Sequence, residues 1–189
     1  MFVIRHPGHC FFVLALIVVF ASGPAKAEEN TYTMEEVVGV ATGFFGATTE
    51  GIATVLEKVF SDLGQPNGYI AGEEVSGAFI VGLRYGRGTL SQKNEADQPV
   101  FWQGPSIGFD FGGNASKVFT LVYNLPNGNA IYQRFPGIDG SFYYIAGVGM
   151  NYQAAGDITL APIRTGLGLR LGANVGYLHY GREHSWIPF

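Results

Sequence analysis

The sequence predicts a mainly β fold: a small soluble antiparallel barrel of about seven or eight strands, with one or more N-terminal amphipathic helices packed on it. Three observations lead there. From Phe79 onward, apolar residues recur at period two in one run after another. Glycine is abundant, 28 of 189 residues, and within several of those runs it falls on one face of the strand. Before them, over about residues 34–63, the apolar period is helical.

Composition narrows the class. Charged residues make up 14% and aromatic residues another 14%, whereas an ordinary soluble domain carries about 25% charge. So apolar a chain has ample surface to bury, which excludes intrinsic disorder. The glycines show no Gly-X-Y period, which excludes collagen. With 11 basic against 15 acidic residues the net charge is −4, the wrong sign for a nucleic-acid partner.

Residues 1–27 read as a signal peptide. Arg5 opens it, an apolar run extends from Cys10 to Ala21, and Ala25-Lys26-Ala27 gives an A-x-A cleavage pattern before Glu28. The apolar run is shorter than the roughly 20 residues that span a bilayer. Cleavage leaves one domain, 28–189, and removes Cys10, the single cysteine, so packing rather than disulfides has to stabilise it. No later apolar run has the length of a transmembrane helix. The expected location is the periplasm; the alternative is an integral eight-stranded outer-membrane barrel ending at Phe189.

In order, Thr33 and Glu36 form a capping box that starts a first helix. Ile52, Val55, Leu56, Val59, Phe60 and Leu63 make one stripe of a second, which Gly64 and Pro66 end. Strands are then expected around Ala78–Gly86, Ile107–Phe111 and Phe119–Leu125. Pro126-Asn127-Gly128 reads as a turn into a hairpin partner carrying Ala130, Tyr132 and Arg134. Phe142 to Tyr152 reads as one long strand, Ile163 to Leu171 as another, and Val175 to His179 as the last. Strand glycines such as Gly82, Gly86 and Gly88 allow tight bending or the close approach of a ring.

Little here points to catalysis. The glycine-rich Gly82–Gly88 segment lacks the Gly-Lys-Ser/Thr ending of a phosphate loop, and no G-x-S-x-G occurs. His179 and His184 have neither cysteine nor clustered carboxylates beside them, so neither metal nor cofactor is expected. Asp110, between Phe109 and Phe111, reads either as a solvent-face residue or as an inward partner of Arg84 or Arg170. Arg84, Arg164 and Arg170 share the small-residue faces of their strands, with Arg87 just beyond the first. They read either as a solvated face or as a cationic rim for an anionic lipid head group or polysaccharide, with Trp102 and tyrosines such as Tyr85 supplying stacking surface.

Two segments carry a family likeness. Gly77-Ala-Phe-Ile-Val-Gly-Leu-Arg-Tyr-Gly-Arg-Gly-Thr-Leu90, followed by Trp102-Gln-Gly-Pro-Ser-Ile-Gly108 and the apolar stretch through Leu125, resembles the SYLF lipid-binding domain. Over roughly 33–189 the chain resembles more closely the alphaproteobacterial envelope-integrity family EipA. That second resemblance implies a small soluble β-barrel without enzymatic activity that helps keep the cell envelope intact. The first implies lipid binding at Arg84, Tyr85, Arg87 and Trp102. Together they lead us to expect a non-enzymatic periplasmic protein whose partner is an envelope lipid, a polysaccharide or a periplasmic protein.

Overall fold

The computed structural model describes residues 30–46, 50–109, 115–165 and 176–185, with side chains for all of these except 76–81 and 106–109. The signal-peptide segment, Asp110, Arg170, the strand positions 166–171 and Phe189 lie outside the described residues.

Both expected helices form. Helix α1 spans Met34–Phe45, and its capping box is complete: the Thr33 hydroxyl accepts the Glu36 N–H at 3.3 Å, and Glu36 Oε2 accepts the Thr33 N–H at 2.8 Å. Helix α2 spans Glu50–Leu63 and buries Ile52, Val55, Leu56 and Val59. It stops at Gly64, whose φ of 76° is the left-handed cap and whose N–H returns to the Phe60 carbonyl at 2.9 Å.

Among the described residues nine strands follow in one antiparallel sheet: β1 Gly68–Gln92, β2 Gln98–Phe109, β3 Ser116–Tyr123, β4 Arg134–Pro136, β5 Tyr143–Ile145, β6 Val148–Met150, β7 Gln153–Ala155, β8 Ile158–Thr165 and β9 Tyr177–Gly181. Their order is β4-β9-β2-β1-β3-β8-β6-β5, and β7 also pairs with β8. The sheet curls until its two flanks touch: Gly137 bridges to Gln153, and the Ile138 N–H donates to the Tyr152 carbonyl at 2.9 Å. A narrow seam between the end of β4 and the start of β7 thus brings the sheet round on itself.

Three local expectations need correction. Strand β1 begins ten residues before Ala78 and runs for 25 residues. Its first part, Gly68–Glu74, pairs with β3, and its second, Phe79–Leu90, pairs with β2. The expected long strand from Phe142 to Tyr152 is broken into two short ones, β5 and β6. Ala146 and Gly147, with φ of 48° and 85°, make a two-residue turn of the kind that matches strand twist, so β5 folds back on β6. The segment after Pro126 is no hairpin partner of β3 either. The Asn127 side chain accepts the Asn129 N–H at 3.1 Å and starts a 3-10 turn over Gly128–Ile131, which carries the chain across to β4, where it pairs with β9.

The two faces of the sheet bury different cores. On the outside, Phe119, Leu121 and Tyr123 of β3, with Ala161 and Ile163 of β8, receive the apolar faces of α1 and α2. Inside, Val118 and Val122 of β3 meet Ile70, Leu90, Val100, Trp102, Leu160, Leu178 and Tyr180. Strand β3 is therefore buried on both sides, with only Lys117 exposed. Helices cover its outward face, where an outer-membrane barrel would present lipid-facing side chains, so the integral-barrel alternative is not favoured. Among the described residues no helix is long and apolar enough to cross a membrane.

Candidate functional site

The inward face of β1 reads Gly68, Ile70, Gly72, Glu74 at period two, and it places a carboxylate inside the barrel. Glu74 is fully buried. Its Oε2 accepts the Trp102 indole N–H at 2.9 Å, while its Oε1 accepts Arg164 Nε at 3.3 Å and lies 3.8 Å from Arg84 Nη1. Arg164 of β8 also donates through Nη1 to Asn151 Oδ1 at 2.9 Å. The Tyr180 hydroxyl of β9 is hydrogen-bonded with Thr120 of β3, within electrostatic range of both arginines and Glu74. Strands β1, β2, β3, β8 and β9 therefore all contribute to one polar cluster.

Burial by itself would push the Glu74 carboxyl up, because a charge is poorly solvated there. The guanidiniums of Arg164 and Arg84 and the indole hydrogen bond outweigh it and hold the carboxyl at about 2. Tyr180, wholly buried, is pushed well above the usual phenol value, chiefly by desolvation. At neutral pH the cluster thus holds an ionised carboxylate, two guanidiniums and a neutral phenol. Among the described residues no group of three His, Cys, Asp or Glu could hold a metal ion.

Space for the indole comes from glycine. Gly86 is the register partner of Trp102, and a Cβ there would fall inside the indole ring. A Cβ on Gly72 would meet Gly88 Cα at 2.7 Å and the far edge of the same indole at 2.8 Å. The two parts of β1 thus approach each other closely enough to clamp Trp102, which then tilts against Tyr180 at 6.0 Å between ring centroids. Gly86 and Gly88 are among the one-sided glycines of the sequence, here with a defined task.

The arrangement differs from a surface rim. Arg84, Arg164 and Trp102 do come together, but inside the barrel, where Trp102 is 2% exposed and offers no ring face to solvent. Tyr85 and Arg87 alternate to the opposite face. Arg87 is exposed, and Tyr85 stacks on His184 at 6.0 Å. Any pairing of Arg84 with Asp110 lies outside the described residues, and Arg84 sits beside Glu74. Sequence reasoning missed Glu74, Asn151 and Tyr180. Alternation with Gly68, Ile70 and Gly72 is the signal that could have found Glu74, but two adjacent glutamates after a glycine suggest a loop.

The curved sheet agrees with the similarity to known proteins. A family model for Envelope integrity protein A (EipA) matches residues 30–189. The chain belongs to the EipA family. Among solved structures it is similar to a beta-barrel-like, uncharacterized protein from Brucella abortus, with 56% identity over 85% of this chain and 99% of that one and a TM-score of 0.77. No curated protein matches it. Neither the EipA family description nor that structural relative indicates an enzymatic activity, and the family name points to a role in envelope integrity.

Proposed function

We propose that this EipA-family protein is a non-enzymatic periplasmic protein that supports envelope integrity by binding a lipid, a glycan or a protein of the envelope. The carrying observation is the polar cluster inside the barrel. A small apolar core gains nothing from burying two guanidiniums and a carboxylate, since apolar side chains of similar volume commonly do as well or better. Retention of such groups fits a recognition role better than a purely structural one. The Thr120 hydroxyl in the cluster is bonded to Tyr180, and the one carboxylate, Glu74, is paired with two arginines rather than with a second acid or base, which favours binding over chemistry. The expected signal peptide supports the location.

Native mass spectrometry of protein released from the periplasm tests the reading. A co-purifying lipid or glycan, or a stoichiometric protein partner, supports it. Recovery only from detergent extracts of the outer membrane, or loss of the gene without sensitivity to detergent or cell-wall stress, overturns it.

A further inference from the structure

The hydrogen bonds of Arg164 do not close. Nε serves Glu74 and Nη1 serves Asn151, but Nη2 is buried without an acceptor among the described residues. Two residues along from Asn151, on the same inward side, Gln153 is fully buried with neither Oε1 nor Nε2 hydrogen-bonded. An extended chain puts residues two apart about 7 Å from each other, so the two unsatisfied groups lie in one neighbourhood. Each buried orphan forfeits its hydration without replacement, and the loss is greater where the group is charged. Native proteins keep such groups mainly where something else completes them.

Charge says what that something is. Glu74 is shared between Arg164 and Arg84, so among the described residues Arg164 has no carboxylate to itself. Water would satisfy its free donor without adding charge, whereas an oxyanion does both, and a guanidinium edge is shaped to receive it. The cluster also has an approach. The side chains of Arg84 and Arg164 are 10% and 14% exposed while Glu74 is fully covered, so the arginines form its solvent side.

We propose that the barrel interior binds an oxyanion group, a phosphate or a carboxylate, which accepts from Arg164 Nη2 and from the Gln153 amide. The proposal rests on the binding role given above and specifies what is bound and where. The same chemistry could arrive as a small free anion or as the head group of an anionic lipid.

The Trp102 indole N–H, bonded to Glu74, is a built-in reporter, and replacing Trp186 by Phe isolates its NMR signal. Inorganic phosphate and acetate are titrated against chloride at equal ionic strength, and phosphatidylglycerol vesicles against phosphatidylcholine vesicles. A saturable shift with a free ion assigns a small anion; a shift with phosphatidylglycerol vesicles alone assigns a head group. In either case Gln153→Leu and Arg164→Lys are expected to weaken binding about tenfold, the loss of one charge-assisted hydrogen bond. If neither ions nor vesicles move the signal, or if both variants bind as tightly as the native chain, the proposal is wrong. A partner recovered by native mass spectrometry that leaves Trp102 unmoved would remove this site while leaving the broader binding role intact.

Discussion

Glu74 accepts the indole N–H of Trp102 at 2.9 Å in the interior of the barrel, joining the first part of β1 to β2 with both side chains sealed from water. The same carboxylate is the counter-charge of Arg84 and Arg164. Replacing it by glutamine keeps an acceptor for the indole but leaves two guanidiniums without that charge. Breaking a buried ionic cluster by removing one partner costs about 3–5 kcal/mol, and Glu74→Gln is expected to lose that much in urea unfolding. Converting Glu74, Arg84 and Arg164 together to apolar residues of similar volume is expected to recover most of it, because the desolvation cost disappears along with the pairing.

The depressed Glu74 carboxyl makes a pH prediction with a definite sign. Its folded value is about 2 against an ordinary 4.5. The unfolded chain therefore takes up the proton first, and the stabilisation is complete above about pH 4.5 and lost as pH falls towards 2. A gap of this size corresponds to about 3 kcal/mol. Asp62, held low chiefly by its hydrogen bond from Lys58, and Glu36, held low chiefly by the Thr33 N–H, act in the same direction. The informative quantity is thus the difference between native protein and Glu74→Gln in urea midpoint at pH 7, 4 and 3. It is expected to shrink steadily across that series; a constant difference would mean that Glu74 is not ionised in the fold.

Periodicity reveals most of this architecture because each helix and several strands bury one face. Thr33, Glu36 and Gly64 mark the helix ends, since capping uses local hydrogen bonds that a sequence can show. The segment from Phe142 to Tyr152 misleads for a physical reason: alternation persists through a two-residue turn, and Ala146 in the left-handed region carries no strong turn signal. Strand β3 lacks plain alternation because helices cover one face and the barrel core the other. The charged cluster is only half visible. Arg84, Arg164 and Trp102 can be singled out by type and position, but their meeting at Glu74 depends on non-local pairing of β1 with β3 and of β3 with β8, which spacing along the chain does not encode.

Two glycines should respond to alanine with opposite signs. Gly86→Ala puts a methyl where the Trp102 indole lies, and the obstacle is a rigid ring clamped by backbone. Overpacking of this kind costs about 1–3 kcal/mol, and the near-ultraviolet circular dichroism of the tryptophan should change with it. Gly39, exposed in α1, has nothing within 4 Å of the place a Cβ would take, so Gly39→Ala is expected to stabilise by about 1 kcal/mol through helix propensity. Thermal unfolding of the two variants beside the native chain checks both signs, and a stabilising Gly86→Ala would show that the indole lies elsewhere.

Helix α2 is fastened to the barrel by a polar contact as well as by its apolar stripe. The Tyr152 hydroxyl, just ahead of β7, donates to Asp62 Oδ2 at 2.6 Å, and Lys58 binds the same carboxylate at 2.7 Å while lying over the Tyr143 ring at 4.5 Å. Burial, reinforced by the Asp62 charge, pushes the Tyr152 phenol up, so it remains a donor throughout the physiological range. Tyr152→Phe removes that donor with little change in shape and should cost about 1 kcal/mol. The loss is expected to be local. Amide exchange should quicken at the C-terminal end of α2, around Lys58 to Leu63, while the inner strands β1 and β3 keep their protection. Lys58→Met should have a smaller effect, because its ion pair with Asp62 is substantially solvated. Uniform acceleration across the inner strands in Tyr152→Phe would instead make this contact part of the global core.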